Sequence, residues 1–211
     1  MGPALLRTTA IALLLGAATW PAPARAQGAR STGLRFMDDV AYQSIPLAAP
    51  PLLGQVPRAA DLSSRFPEPG DQGKQNSCVG WAVAYALKSY QEGLERSWGT
   101  APTQHRFSPA FIYNQLKKTP DCQGGTTFVE ALNLLRRDGV ATLADFPYRD
   151  DDCARQPDAG VRMTARVNVQ DPTEVKTHLA SGFPVLIGMM VDTAFMQWKG
   201  DAPYGRVSSK T

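Results

Sequence analysis

Histidine is nearly absent, with two in 211 residues, and cysteine is scarce, with three. Neither C-x-x-C nor H-x-x-x-H spacing occurs, so these residue types offer no metal site and none is expected. No cofactor motif stands out either. No apolar run approaches the ~20 residues that cross a bilayer. Excess charge is also missing. The formal charge is +3. Without Arg7 and Arg25, which lie in a segment expected to be removed, the 22 basic residues fall to 20 against 19 acidic, a net charge of +1. That balance gives no reason to propose nucleic acid or a strongly acidic partner.

What is present suits one domain with extras. Apolar residues make up 43% of the chain, enough for a packed core. Residues 1–26 read as a secretory signal peptide. Arg7 is a thin positive region, Ala10 to Ala18 a short apolar one, and Ala24-Arg25-Ala26 places small residues at the cleavage site. A secreted or periplasmic location follows as the expectation, with no membrane attachment after cleavage. Residues 27–57 are rich in Pro, Ala and Gly without sustained period. They read as an extended leader: a short pro-segment, a linker or an arm laid over the domain.

One stretch organises the rest: Asp71-Gln72-Gly73-Lys74-Gln75-Asn76-Ser77-Cys78-Val79-Gly80-Trp81-Ala82. It runs from a polar loop into an apolar helix. Val79, Ala82, Val83, Ala86, Leu87 and Tyr90 recur at helical spacing, and the pattern extends to Glu95. Cys78 sits at the junction, where the helix dipole and free backbone N–H groups favour a thiolate nucleophile. Gln72, six residues upstream, carries an amide able to stabilise an oxygen that becomes negative when Cys78 attacks a carbonyl.

The stretch resembles the active-site segment of papain-like cysteine peptidases. Gln72, Gly73, Ser77 and Cys78 fall at the family's spacing, whereas Val79 replaces its usual aromatic and Gln75 a frequent cysteine. Further along, Cys122-Gln123-Gly124-Gly125 resembles the family's Cys-x-Gly-Gly element. That likeness implies that Gly124 and Gly125 let an extended peptide pair with the backbone. Phe146-Pro147-Tyr148 resembles the Tyr-Pro-Tyr that closes the helical lobe. Thr127 and Gly188 fall near the positions that shape the family's main specificity pocket. In an oxidising compartment two of three cysteines pair, and three pairings are possible. If Cys78 must stay free to react, the disulfide is Cys122–Cys153.

Two more helices are expected in the first lobe. Ser108 caps one that starts at Pro109. The other runs from Phe128 to Arg137 and stops at Gly139. Ala60 to Pro67 resembles the family's entry strand and turn. Beyond Ala154, Val161 to Val169 alternates with strand period, Asp171 caps a short helix through Leu179, and Gly182 to Val191 reads as a buried strand. Phe195 to Gly200 reads as a helical turn or loop. The fold class implied by the resemblance is α+β: a papain-like two-lobe domain over residues 58–211, its helical lobe complete and its antiparallel, barrel-like β lobe incomplete.

The resemblance implies thiol-dependent hydrolysis of a peptide or protein substrate by a monomer. Such chemistry needs a base to pair with the thiol and to protonate the leaving amine. In the family a histidine follows the Phe-x-x-Trp-x-Gly segment, and the sequence ends at Thr211 about where it is due. His105, in a polar connection, and His178, on a short helix, both read as surface residues. The expectation is therefore a chain cut before its base and inactive alone. The alternative is a non-catalytic, peptide-binding homologue.

Overall fold

The computed structural model describes residues 32–45, 54–156, 172–200 and 204–205. The signal peptide and the segment Val161–Val169 lie outside them.

Helix α1 (Asp39–Gln43) sits in the leader, where no helix is expected; Asp38 caps it by accepting from the Ala41 amide at 2.9 Å. The entry segment near Ala60 is not a strand. It forms a single 3-10 turn, Ser63–Arg65, with the Asp61 carboxylate accepting from the Ser63 amide.

The central helix α2 begins at Cys78. It is α-helical over Cys78–Gly80, widens to a π-helix over Trp81–Lys88, and returns to α over Ser89–Glu95. Helix α3 (Pro109–Leu116) starts as expected, with Ser108 Oγ accepting from the Phe111 amide at 3.3 Å and Pro109 in the first turn. Every residue from Pro109 to Asn114 is buried, so α3 runs through the interior. Helix α4 (Phe128–Asp138) buries Ala131, Leu132, Leu134 and Leu135 on one face. Gly139 ends it at φ 79°, a backbone conformation open to glycine.

These three helices share one core. Val79, Val83, Ala84 and Leu87 of α2 meet Phe107, Ala110, Phe111 and Ile112, and then Leu132, Leu135, Val140 and Phe146. Removing a buried aromatic of this kind costs about 3–5 kcal/mol. The core therefore fixes the start of α2, and Cys78 with it.

Helices α5 (Pro172–Ala180) and α6 (Thr193–Met196) belong to the second part of the chain. Tyr90 of α2 reaches across to it, donating its hydroxyl to the Gly182 carbonyl at 2.8 Å. Two expectations fail here. Gly182 to Val191 is not a buried strand: it pairs with nothing in a ladder, and Phe183, Ile187, Met189 and Met190 stand 53–83% exposed. An apolar run becomes a buried strand only where another strand and a covering layer meet it, and the described residues supply neither. His178 is not a surface residue. It is 5% exposed, with the Phe183 ring edge-on to its own at 6.4 Å. Sheet pairing among the described residues consists of two isolated bridges, Leu34 with Thr126 and Phe107 with Thr142. The helical half of the α+β expectation is present, and no barrel-like lobe is formed by these residues.

Among the described residues, one ion pair is buried in this interior. Lys88 and Glu92, one turn apart on α2, form a pair whose side chains are 3% and 5% exposed, and Arg96 closes on the same carboxylate from outside. Deleting one partner of a buried pair leaves the other uncompensated. Glu92→Ala is expected to lower unfolding stability in urea by about 3–5 kcal/mol, and the double change Lys88→Met with Glu92→Leu to recover most of that loss.

Candidate active site

Ser77 precedes α2 without capping it; its carbonyl accepts from the Trp81 amide at 3.1 Å, and its hydroxyl lies 2.7 Å from that of Tyr148. Cys78 follows as the free cysteine, half-buried at the mouth of the helix. Its sulfur accepts a hydrogen bond from the Gly33 amide at 3.2 Å.

That contact comes from the leader. Residues 33–35 run parallel to the backbone around Thr126. The Thr126 amide donates to the Gly33 carbonyl at 2.9 Å, and the Arg35 amide to the Thr126 carbonyl at 2.8 Å. The fit is close enough to exclude a side chain at Gly33, because a Cβ there would overlap the Asn76 carbonyl. A Cβ on Gly125 would likewise meet the Gly33 carbonyl. The Leu34 side chain lies over Gly188 and packs on the core, with Phe36 and Phe128 close by. Gly125 and Gly188 thus flank this extended leader segment. Gly124 is buried, and a Cβ on it would meet Lys118 and Thr119 of its own loop.

Gln72 lies on a loop held from several sides. Its side-chain nitrogen donates to the Gln75 carbonyl at 3.1 Å, and its own carbonyl accepts from the Gln75 amide and from the Tyr148 hydroxyl. The Asn76 amide donates to the Cys122 carbonyl at 3.0 Å, and Gln123 returns a bond to the Lys74 carbonyl at 3.1 Å. Cys122 and Cys153 form the disulfide, with Cα atoms 5.7 Å apart, so it pins the glycine loop to the segment after Tyr148. Burial pushes the Tyr148 hydroxyl above its ordinary pKa. Burial likewise pushes Tyr113, which has no solvent exposure, up to about 12.

Thr127, expected near the specificity pocket, has a structural task. Its hydroxyl accepts from the Glu130 amide at 3.1 Å, and the Glu130 carboxylate accepts from the Thr127 amide at 3.0 Å. The Thr-x-x-Glu spacing of a capping box was there to be read in the sequence. Tyr148 was legible only as part of a lobe-closing motif, and no local signal marks Gly33.

Neither histidine partners the thiol. His105 bonds the Gly99 carbonyl through Nδ1 at 2.8 Å and stacks on Trp98, while His178 is enclosed beside Phe183.

Comparison with protein-family models and with curated proteins finds no match. Among solved structures the chain is similar to xylellain, a cysteine protease from Xylella fastidiosa, with a TM-score of 0.58 at 20% sequence identity. The match covers 73% of this chain and 64% of that one, so the chain spans a little under two thirds of the xylellain chain's length. At that identity the likeness shows the fold alone: one shared with a cysteine protease, present here in its helical part.

The capping box carries a pH signature. Burial opposes ionisation of Glu130, but the Lys118 ammonium, the Thr127 amide and the hydroxyls of Thr126 and Thr127 outweigh it and hold its pKa at about 2, against 4.5 when free. A carboxylate depressed in the folded state stabilises the fold above its unfolded pKa and loses that contribution as pH falls. Stability measured by urea unfolding should therefore drop between pH 4.5 and 2, and Glu130→Gln should flatten that part of the profile. Thr127→Ala should cost about 1 kcal/mol at neutral pH, the usual value of a cap.

Proposed function

We propose that the protein is a secreted or periplasmic cysteine peptidase in which Cys78 attacks a peptide carbonyl. The observation that carries this is a free, half-buried thiol at the first residue of a core helix, beside a backbone edge that already pairs with an extended strand. The backbone N–H of Cys78 and the Gln72 amide receive the oxyanion. Gly125 and Thr126 align the substrate strand, and water then hydrolyses the thioester. The likeness to xylellain supports this at the level of the fold.

The general base is the missing element. A base must take the proton of Cys78 and return it to the leaving amine. Neither His105 nor His178 stands beside the sulfur, so turnover needs an imidazole that these 211 residues do not supply. The domain assignment that goes with this reading is a signal peptide over 1–26, a short pro-segment over 27–57 and the peptidase domain from 58. In that scheme residues 33–36 act as the pro-segment's inhibitory contact, with Gly33 over the sulfur and Leu34 beside Gly188.

The seated strand also suits the alternative, a homologue that binds peptide and does not cut. Alkylation of Cys78 by a peptidyl chloromethyl ketone, followed by intact mass, separates the two. Gly33→Trp, whose side chain has no room beside Asn76, is expected to raise the labelling rate at least tenfold, and Cys78→Ser to abolish labelling. Unassisted peptide hydrolysis should stay near background. A Cys78 that stays inert in Gly33→Trp would favour the binding homologue. Peptide turnover at ordinary peptidase rates by this chain, lost in Cys78→Ser, would show that the base is already present.

A further inference from the structure

The loop that carries Gln72 has no regular secondary structure, so something outside it must fix where Gln72 stands relative to Cys78. Three consecutive residues do this. Tyr148 donates its hydroxyl to the Gln72 carbonyl at 2.8 Å, the Arg149 carbonyl accepts from the Gln75 amide side chain at 3.4 Å, and the Asp150 carboxylate accepts from the Lys74 amide at 3.2 Å. Tyr148 alone touches both sides of the site, since its oxygen also lies 2.7 Å from Ser77 Oγ, on the residue before the sulfur. The proton order follows from valence. A carbonyl only accepts, so the single Tyr148 proton goes to Gln72, and the Ser77 hydroxyl must donate to Tyr148. The result is a one-way chain, Ser77 to Tyr148 to Gln72, in which each bond polarises the next. The Tyr148 ring is itself held, edge-on to Trp81 of α2 with centroids 4.9 Å apart.

We propose that Tyr148 is a positioning residue for the oxyanion donor. Its hydroxyl sets the span between Gln72 and the nucleophile, and without it the loop keeps its fold but loses its register on Cys78. This rests on the reading of Cys78 as nucleophile and Gln72 as donor, and it adds a residue that acts through Gln72 and never meets the substrate.

Two electrophiles distinguish this role from plain stability in the 211-residue chain. A peptide aldehyde forms a hemithioacetal: the sulfur bonds to the carbonyl carbon, the C=O π electrons move to oxygen, and that oxygen takes the thiol proton. It therefore reads the oxyanion site. Iodoacetamide alkylates the sulfur with loss of iodide and develops no oxyanion. Tyr148→Phe keeps the ring against Trp81 and should weaken aldehyde binding about tenfold, the scale of one lost hydrogen bond, while the iodoacetamide rate stays within about twofold. Ser77→Ala should move the same way by less, and it serves if Tyr148→Phe does not fold. Gln72→Ala should lose at least as much as Tyr148→Phe, and the double variant no more than Gln72→Ala alone. The proposal is overturned if Tyr148→Phe binds the aldehyde like wild type while Gln72→Ala does not, or if it slows both probes equally. If Gln72→Ala itself leaves aldehyde binding unchanged, the oxyanion assignment falls and the positioning role with it.

Discussion

A helix packed into a core can hold one atom at its end far more steadily than a loop can. In this molecule that atom is the Cys78 sulfur. Val79 and Val83 are fully enclosed directly behind it, and α3 and α4 close over them. Side chains in such an interior sit at crystal-like density and do not drift. The Gln72 loop and the leader take their places by reference to this helix.

The parts that surround the thiol are held by polar contacts across long stretches of sequence. Residues 72–76 bond to 122–123 on one side and to 148–150 on the other, and the disulfide joins those two supports. Each such bond is worth only about 1 kcal/mol net, but together they close a ring around a loop with no hydrogen-bond ladder of its own. The buried pair on α2 follows a different logic. Lys88 and Glu92 face inward beneath Phe107, where their mutual attraction must offset the loss of hydration.

Much of this was legible before any coordinates. The capping Ser108, Pro109 and stopping Gly139 bracket their helices as local chemistry dictates, and the Cys122–Cys153 pair is the one that leaves Cys78 free. What was not legible depends on tertiary placement. His178 reads as exposed on a polar segment, yet neighbours enclose it. The run from Gly182 to Val191 has strand composition, but composition cannot supply the adjacent strand that would bury it. The cap formed by Thr127 with Glu130 is written in their spacing, although the resemblance draws the eye to Thr127 for another reason. Gly33 lies 45 residues from the thiol it touches, and nothing in a leader of low complexity announces such a partner.

The polarity of the leader across the cleft has a consequence of its own. Because residues 33–35 run parallel to the Thr126 edge, the group they turn toward the sulfur is an amide hydrogen. A reagent that needs the face of the sulfur held by Gly33 therefore meets it only when residues 33–35 leave the Thr126 edge.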